Sequence, residues 1–461
     1  MSVPPPFRPA TLASAGLDRR RFLGLAGLGL SAAALAACGG PSTSSGSSGP
    51  STAAEVDWSK VTPAKEITFW SSNPGSSQAV TQQIIDAFHA SQPDIKVNLV
   101  TAGANYEEIA QKFQSAQAGG GLPDLMVFSD VWWFRYKMLD SIIPLNGLVD
   151  AVGMEVDDYR KGLWADYTYD DAQWAVPWAR STPLFYYNKA HWSAAGLPDR
   201  APETWDEFSG WTAKLQGAGL GTQHAFQQPA LANYAGWSFQ NVLWGWGGGW
   251  SKKDSFDIIC NSKESAAAIQ FLQDSVYKNA WAGVASNDQV NDLTAGAVSS
   301  TIASTGSLVG ILKAANFQVG AGPLPGGPEE TDPVCPTGGA GVGIPKDIPQ
   351  ENQLAAATFI KFLTSPENTV TFSQATGYMP VRESADTAAI IAAAPQVEVA
   401  LKQLDHTRTQ DYARVFLPGA DQEMAKTCAN ILTQQADVQS ELDALKTALE
   451  TIYTRDVKPN L

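Results

Sequence analysis

One stretch decides how the chain is divided, namely Trp174-Ala-Val-Pro-Trp-Ala-Arg-Ser-Thr-Pro-Leu-Phe-Tyr-Tyr-Asn-Lys189. It begins as an apolar strand, bends at Pro177 and Pro183, and continues as a second apolar strand. Proline fixes φ and supplies no donor to a β-ladder, so it is found at strand starts and edges. The aromatic residues Phe185–Tyr187 favour a pleated, buried surface. Two strands with a stiff joint can link two lobes, and an ordinary buried hairpin is the alternative.

Length and composition predict a globular protein with more than one core. The 461 residues are too many for a single ordinary core, so two domains are expected. With 44% hydrophobic and 17% charged residues, the composition is that of a folded chain. The net charge of −15, without a Lys/Arg cluster beyond the N-terminus, argues against a nucleic-acid partner. The 15 Trp residues either fill cores or line a cleft for a sugar-like or cationic ligand.

The N-terminus predicts export and a lipid anchor. The arginines of Asp18-Arg-Arg-Arg-Phe-Leu-Gly24 resemble a twin-arginine signal, and the apolar run behind them is too short to span a bilayer. Leu35-Ala-Ala-Cys38 resembles a bacterial lipobox, in which Cys38 is acylated, so residues 1–37 are expected to be an export signal. A Gly/Ser/Thr/Pro-rich segment follows, and residues 38–65 are expected to tether the folded body to the lipid.

The start of the folded body alternates strands with helices. Glu66–Trp70, Ile95–Val100 and Leu122–Phe128 have strand patterns, and amphipathic helices are predicted between them. Such an order implies a parallel sheet with right-handed connections. Ligands of these sheets bind at the carboxyl ends of the strands, and Tyr106 and Asp130 both fall just beyond such ends.

The hinge stretch resembles the crossing of solute-binding proteins that serve ABC importers. Between about residues 66 and 420, the order of motifs resembles the actinobacterial glycerol-3-phosphate and glycerophosphodiester-binding family. This resemblance implies an α/β, two-lobed, periplasmic-binding-protein-like fold of type II, with a hinge, three crossings and a ligand in the cleft between the lobes. We expect an N-terminal lobe of residues 66–178 plus 296–333. The C-terminal lobe is expected to comprise residues 179–295 plus 334–461.

The resemblance also implies a set of ligand contacts, matched motif by motif: Tyr106, Asp130, Trp244, Ser307, Gly339, Tyr378 and Arg414. Three of these suit an anion. Arg414 can direct two donors at a phosphate, Gly339 lets an anion approach its backbone N–H, and Ser307 opens a predicted helix. The alternatives are a salt bridge for Arg414, a plain turn for Gly339 and a helix cap for Ser307.

The other matched residues suit the remaining parts of a glycerophosphodiester. Asp130 can accept hydrogen bonds from glycerol or sugar hydroxyls, and its alternative is a cap for the helix that begins near Trp132. Trp244 and Tyr378 can stack on a polyol or hold a quaternary ammonium group, and core packing is the alternative for both. Any contact from the neighbouring Asn241 is left open.

Motifs for catalysis are weak in this sequence. It contains no Gly-x-Ser-x-Gly, no His-Glu-x-x-His and no phosphate loop ending in Gly-Lys-Ser/Thr. The His residues lack the spacing of metal ligands, and the Gly-rich segment Gly338–Gly343 precedes a predicted strand, whereas a dinucleotide loop precedes a helix. We therefore expect neither enzymatic activity nor a cofactor or metal.

The expected function is that of a monomeric receptor on the outer face of the cell membrane. The resemblance implies capture of glycerophosphodiesters, with glycerophosphocholine favoured over glycerol 3-phosphate, and delivery to the permease subunits of an ABC importer. An oligosaccharide receptor is the alternative within the class. A lipid-anchored glycoside or phosphodiester hydrolase is the alternative from another class.

Three cysteines remain beyond the lipidation site, namely Cys260, Cys335 and Cys428. Thiols outside the cytoplasm tend to pair. Three cysteines allow one bridge and one free thiol in three combinations, and the sequence does not choose among them.

Overall fold

The computed structural model describes residues 56–71 and 76–461. The predicted export signal, Cys38 and most of the tether lie outside the described residues. In the described part, no helix combines the length and the apolar character that crossing a membrane requires.

The strands of the described residues follow the chain in this order: β1 (Glu66–Ser71), β2 (Lys96–Thr101), β3 (Leu125–Ser129), β4 (Thr168–Tyr169), β5 (Ala172–Gln173), β6 (Val176–Ser181), β7 (Pro183–Asn188), β8 (Phe226–Gln228), β9 (Ala282–Val284), β10 (Ser300–Ser304), β11 (Val319–Gly322), β12 (Cys335–Pro336), β13 (Gly338–Gly343) and β14 (Thr407–Arg408). They form two five-stranded sheets and two short ribbons.

The α-helices of the same residues follow in this order: α1 (Ser76–Ser91), α2 (Tyr106–Gly119), α3 (Trp133–Met138), α4 (Asn146–Ala151), α5 (Lys161–Ala165), α6 (Lys189–Ala194), α7 (Trp205–Gly217), α8 (Leu231–Gly245), α9 (Lys263–Tyr277), α10 (Gln289–Thr294), α11 (Leu308–Ala314), α12 (Gln350–Leu363), α13 (Pro366–Thr376), α14 (Ala388–Ala393), α15 (Gln396–Gln403), α16 (Tyr412–Val415), α17 (Ala420–Gln434) and α18 (Val438–Ile452). Helices pack on both sheets, so the architecture is α/β.

The first sheet has the strand order β2-β1-β3-β13-β6. Strand β1 runs parallel to β2 and β3, as the alternating pattern predicts, and β13 is antiparallel to both β3 and β6. Helices α1, α2 and α12 pack on this group of strands. The aromatic ring of Phe359 packs against Phe69 and Phe88, with centroids 6.0 and 5.1 Å away, and closes the core of this first lobe.

The second sheet has the strand order β11-β7-β10-β8-β9. Strand β7 is antiparallel to β10 and β11, whereas β8 is parallel to β10 and β9. The core of this second lobe is aromatic, because the ring of Phe185 packs against Phe208 at 5.2 Å and Phe226 at 5.8 Å. Each sheet thus has a core of its own.

The predicted hinge is present as the direct passage from β6 to β7. Strand β6 is the edge of the first sheet, and β7 lies inside the second, so the chain changes lobe at Thr182. Pro183 opens β7, where a missing donor costs little, and Pro177 lies in the edge strand β6. The chain crosses a second time between β11 and β13. It crosses a third time between α13 and α15, because α13 packs on α1 of the first lobe and α15 packs on β11 of the second.

The expected division into lobes is wrong for two segments. Strands β10 and β11 were assigned to the first lobe with residues 296–333, yet both pair with β7 in the second sheet. Residues 334–461 were expected in the second lobe, yet β13 pairs with β3 and β6 in the first sheet, and helices α12 and α13 pack on β1 and α1 of the first lobe. Local patterns identify a strand but do not identify a partner more than 100 residues away.

The Gly-rich segment is not the turn that the sequence suggested, because all of Gly338–Gly343 lies in strand β13. Neighbouring groups occupy the space of the missing side chains. A Cβ on Gly343 would lie 2.1 Å from the ring of Phe128, and a Cβ on Gly338 would lie 2.6 Å from the indole of Trp237. Glycine in a strand marks such close approaches. Gly339 has φ of +95°, which L side chains rarely adopt.

Replacing Gly339 by Ala is expected to destabilise the first sheet. The new Cβ would lie 2.0 Å from the carbonyl oxygen of Ala179, and the backbone would be strained. Together these effects should lower the free energy of unfolding by roughly 2–4 kcal/mol. Gly210→Ala is the control, because this exposed position in α7 has open space around it. Scanning calorimetry should show a lower melting temperature for Gly339→Ala alone, and equal melting temperatures would contradict the packing described.

Candidate functional site

A buried ionic cluster connects the two lobes beside strand β3. Asp130 follows β3, and its Oδ2 accepts hydrogen bonds from Gln410 Nε2 at 2.6 Å and from Arg414 Nη1 at 3.1 Å. Gln410 and Arg414 belong to the segment before α17, which packs on α8 of the second lobe. Asp130 is 6% exposed and Arg414 is 5% exposed. Asp130 therefore joins the lobes, and it is not the helix cap that was the alternative for it.

Arg414 is held by carboxylates on two sides. Its Nε donates to Asp421 Oδ1 at 2.9 Å, in addition to the contact of Nη1 with Asp130. Burial by itself would lower the pKa of Arg414, but Asp421 and Asp130 together raise it, so the guanidinium stays charged. Burial raises the pKa of Asp421. Arg414, which was predicted to bind phosphate, thus makes the salt bridges that were the alternative role for it.

Tyrosines form the wall next to this cluster. Tyr106 opens α2, whose first turn is capped by the side chain of Asn105, which accepts from the N–H of Glu108 at 3.0 Å. The hydroxyl of Tyr106 interacts with that of Tyr378, and burial raises the pKa of both. The two phenols therefore remain neutral and can donate to a ligand at physiological pH.

Tyr378 also brings the second lobe into the site. A Cβ on Gly306 would lie 2.6 Å from the ring of Tyr378, so this ring covers the turn that precedes α11. Ser307 is the next residue of that turn, and its hydroxyl interacts with Tyr234. Its side chain caps no helix, and the helix behind it spans only Leu308–Ala314. Ser307 is therefore near Tyr378, but the expected anion-binding helix start has no support.

Gly339 joins the site through its backbone. Its carbonyl oxygen accepts from the N–H of Asp130 at 3.2 Å, and the residue pairs with Arg180 across the β13–β6 ladder. Through these two backbone contacts, Gly339 connects the loop of Asp130 to the hinge strand β6. Gly339 is accordingly more than the plain turn that was its alternative.

Arg180 lies beside the predicted site residues Asp130 and Tyr378, and the sequence reasoning did not select it. It is fully buried in β6, where Nη1 donates to the hydroxyl of Tyr167 at 2.8 Å and Nη2 pairs with Asp166. Asp166 also accepts from the hydroxyl of Thr337 at 2.7 Å. The Nε of Arg180 has no hydrogen-bond partner within the described residues. The signal was a lone arginine inside an apolar strand that continues into the hinge.

Helix α8 contributes Tyr234 and Trp237, which were also missed. The hydroxyl of Tyr234 accepts from the N–H of Ser304 at 3.4 Å, and its ring lies 5.6 Å from that of Trp237. Trp237 Nε1 donates to the carbonyl oxygen of Thr337 at 2.9 Å, and its ring lies against Gly338. Both aromatic residues therefore face the strand and turn that carry the site.

Trp244 packs inside the second lobe, as its core-packing alternative expects, and a ligand contact from it stays a prediction. Its indole is 3% exposed, its Nε1 donates to Asp411 Oδ1 at 3.1 Å, and the guanidinium of Arg408 covers its ring at 4.5 Å. Trp237 and Trp244 lie on the same side of α8, since seven residues are two turns. A helix rises about 1.5 Å per residue, so Trp244 lies roughly 10 Å further along the axis. Asn241, left open above, donates to the carbonyl oxygens of Pro325 and Val334 inside the second lobe.

The structure thus brings together most of the matched residues, namely Tyr106, Asp130, Ser307, Gly339, Tyr378 and Arg414. Six further residues lie among them, namely Tyr167, Asp166, Arg180, Tyr234, Trp237 and Gln410. Both lobes contribute to this interlobe site. Together with Asp421, which pairs with Arg414, it offers two guanidiniums, three carboxylates, neutral phenols and an indole. The described residues contain no cluster of side chains fit to hold a metal ion.

A family profile described as bacterial extracellular solute-binding protein matches residues 83–399. The chain belongs to this family. A crystal structure of UgpB from Mycobacterium tuberculosis in complex with glycerophosphocholine has 42% identity to it and a TM-score of 0.80. That match covers 85% of this chain and 99% of the other. The family and the two-lobed type II fold predicted from the sequence are confirmed, and the chain is an exported solute-binding protein.

Two further relatives extend the comparison. The sn-glycerol-3-phosphate-binding periplasmic protein UgpB of Escherichia coli (strain K12) is 27% identical over 334 residues, which is 69% of this chain and 75% of that protein. The cyclic alpha-maltosyl-1,6-maltose binding protein of Arthrobacter globiformis has 22% identity and a TM-score of 0.71, covering 84% of this chain and 98% of the other. This last likeness concerns the fold alone.

Removing the cation from the ionic cluster is expected to destabilise the protein. Arg414→Ala leaves Asp130 and Asp421 buried without their shared partner, and breaking such a pair costs roughly 3–5 kcal/mol. The pKa of Asp421, already raised by burial, rises further, so its charged form costs more as pH increases. Thermal unfolding should therefore show a larger loss at pH 7.5 than at pH 5.

The matched control is Arg455→Ala, which removes the exposed pair with Asp456. Its melting temperature should stay at the wild-type value. If Arg414→Ala melts like this control at both pH values, the lobes are not joined by the buried pair.

Proposed function

We propose that the chain is the substrate-binding component of an ABC importer and captures glycerophosphodiesters between its two lobes. Glycerophosphocholine is the favoured ligand, and glycerol 3-phosphate binds more weakly. The observation that carries this proposal is the composition of the interlobe site, in which buried guanidiniums, carboxylates and aromatic rings converge from both lobes. The 42% identity to a protein whose crystal structure is a complex with glycerophosphocholine supports the same ligand class.

The charge balance of the site favours a zwitterion. Arg180 and Arg414 are paired with Asp166, Asp130 and Asp421, so the group carries one negative charge when all are ionised. A phosphodiester with a cationic head group is neutral and adds no net charge. A phosphomonoester dianion adds negative charge to the site. One extra negative charge at 5 Å from a carboxylate costs on the order of 3 kcal/mol at an effective dielectric constant near 20.

Aromatic rings supply a place for the cationic end. Trp237 is held rigidly because its Nε1 is bound to Thr337, and the ring of Tyr234 lies beside it. Tyr378 is stacked on Phe372, with ring centroids 5.8 Å apart, and covers the neighbouring turn. Indole and phenol faces attract alkylammonium groups. We therefore assign the head group to this aromatic side and the phosphate to the side of the guanidiniums.

The alternatives account for fewer of these features. An oligosaccharide would use the carboxylates and rings, but it carries no cation for the aromatic side and no anion for Arg180 Nε, which has no hydrogen-bond partner within the described residues. A hydrolase needs a free acid or base, and the carboxylates of Asp130, Asp166 and Asp421 are all engaged by arginine. We propose that the ligand is released unchanged.

Calorimetric titration with a ligand panel tests the proposal. Glycerophosphocholine should bind more tightly than glycerol 3-phosphate, and maltose should not bind. Trp237→Leu should weaken glycerophosphocholine about 30-fold, because a desolvated cation–π contact contributes about 2 kcal/mol, and weaken glycerophosphoinositol less. Trp246→Leu is the control, since Trp246 packs on Phe271.

Two results would contradict the proposal. The first is maltose binding with no response to any phosphodiester. The second is release of free choline from glycerophosphocholine by the purified protein, in an assay where Asp130→Asn abolishes the release.

The export and anchoring route is a separate proposal. We propose twin-arginine export, acylation at Cys38 and a flexible tether that keeps a monomeric receptor near its permease at high effective concentration. Cys38→Ala should shift the protein from the membrane fraction to the medium or leave it unprocessed, as immunoblots of cell fractions would show. Wild-type protein found wholly in the medium would refute the anchor.

A further inference from the structure

One buried carboxylate in the second lobe fastens the segment that carries Gln410 and Arg414. The side chain of Asp411 is fully buried. Its Oδ2 accepts from the backbone N–H of Trp250 at 2.7 Å, and its Oδ1 accepts from Trp244 Nε1 at 3.1 Å and from Arg408 Nη2 at 3.3 Å. These partners come from the end of α8, the turn behind it and β14.

The backbone of Asp411 is fixed as firmly as its side chain. Its N–H donates to Gln240 Oε1 at 2.9 Å, and the Nε2 of Gln240 donates to Gln410 Oε1 at 3.1 Å. Its carbonyl oxygen accepts from the N–H of Arg414 at 2.8 Å. Asp411 therefore lies between the two residues that reach across to Asp130, and its contacts set where both of them point.

We propose that Asp411 is a positioning residue of the binding site, whose ionised carboxylate holds Gln410 and Arg414 in place, so that ligand affinity falls when this carboxylate is protonated. The inference rests on the proposed function for its ligand. It goes beyond that function by assigning a residue that touches no ligand and a pH response.

The surroundings of Asp411 place this response at mildly acidic pH. Burial raises its pKa to about 6, although Arg408 and the N–H groups of Trp250 and Trp244 lower it in part. Within the described part of the chain, Arg408 is the one charged group in contact with the carboxylate of Asp411. The other contacts of Asp411, from α8 and the following turn, are uncharged. Protonation removes the charge that Arg408 faces and turns one acceptor into a donor.

The direction in which ionisation of Asp411 changes the stability of the fold distinguishes a positioning role from a purely structural one. The pKa of Asp411 is higher in the folded chain than in the unfolded one, so ionising it lowers the free energy of unfolding as pH rises from about 4 to about 6. At neutral pH the buried charge is thus a cost to stability. A neutral Asn at this position should be tolerated for folding, yet its amide hydrogens would face the donors of Trp244 and Arg408.

The test is calorimetric titration with glycerophosphocholine at pH 7.5, 6.5 and 5.5, because neither its phosphodiester nor its trimethylammonium group titrates in this range. If only the ionised form binds, the wild-type Kd rises about fourfold from pH 7.5 to 5.5. Asp411→Asn should bind at least as weakly at pH 7.5 as wild type does at pH 5.5, with no pH dependence. Arg408→Gln removes the cation that lowers the pKa of Asp411, so it should move the midpoint to higher pH.

His406→Gln is the control for histidine titration, since His406 is exposed and near in sequence; it should keep the wild-type profile. The inference is overturned if Asp411→Asn binds like wild type at pH 7.5 and retains the pH dependence. If Asp411 has a structural role alone, Asp411→Asn should melt at a lower temperature, and Arg408→Gln should leave the pH midpoint of ligand binding unchanged. That result would also overturn the inference.

A ligand-free measurement keeps the inference distinct from the proposed function. Hydrogen exchange of the amides in residues 409–416, corrected for intrinsic rates, should be faster at pH 5.5 than at pH 7.5 in wild type. In Asp411→Asn it should be fast at both. If wild type does not bind glycerophosphocholine, the proposed function fails, and this comparison decides the inference: equal protection in both proteins at both pH values overturns it.

Discussion

The buried contact of Asp130 with Arg414 and Gln410 is the constraint on which the site depends. It joins the carboxyl end of a strand in the first sheet to a segment fastened on the second lobe. Ions buried this deeply are costly unless each is paired, so the position of one lobe fixes the position of the other. A ligand that binds between them shifts the balance of open and closed forms by its differential affinity.

The remaining architecture serves to bring these groups to one place. The β6–β7 passage carries Arg180 directly into the hinge, and the glycines of β13 allow Trp237 and the Asp130 loop to approach a strand backbone closely. Tyr378 meets Tyr106 of the first lobe and covers the turn before α11 of the second lobe. Because the phenols stay neutral and the arginines stay charged, the site keeps fixed donors for an anion within a slightly negative surrounding.

Much of this was predictable, and the failures have physical causes. The proline-bounded hinge, the parallel strands and the positions of Tyr106 and Asp130 follow from local periodicity and strand ends. Trp237 was missed in favour of Trp244 because a sequence shows which side of a helix a residue is on but not which turn faces the cleft. The lobe assignment of β10, β11 and β13 failed because strand partners are distant in sequence. Asp411 and Arg408 gave no local signal, since their partners come from elements far along the chain.

A crystal structure of this chain with glycerophosphocholine tests the central claim most directly. The account predicts the ligand between the lobes, with its phosphate within hydrogen-bond distance of Arg414 or Arg180 and its trimethylammonium group against Trp237. The Asp130–Arg414 contact should be retained. A ligand bound to one lobe alone, or a head group far from Trp237 with the guanidiniums untouched, would contradict the account.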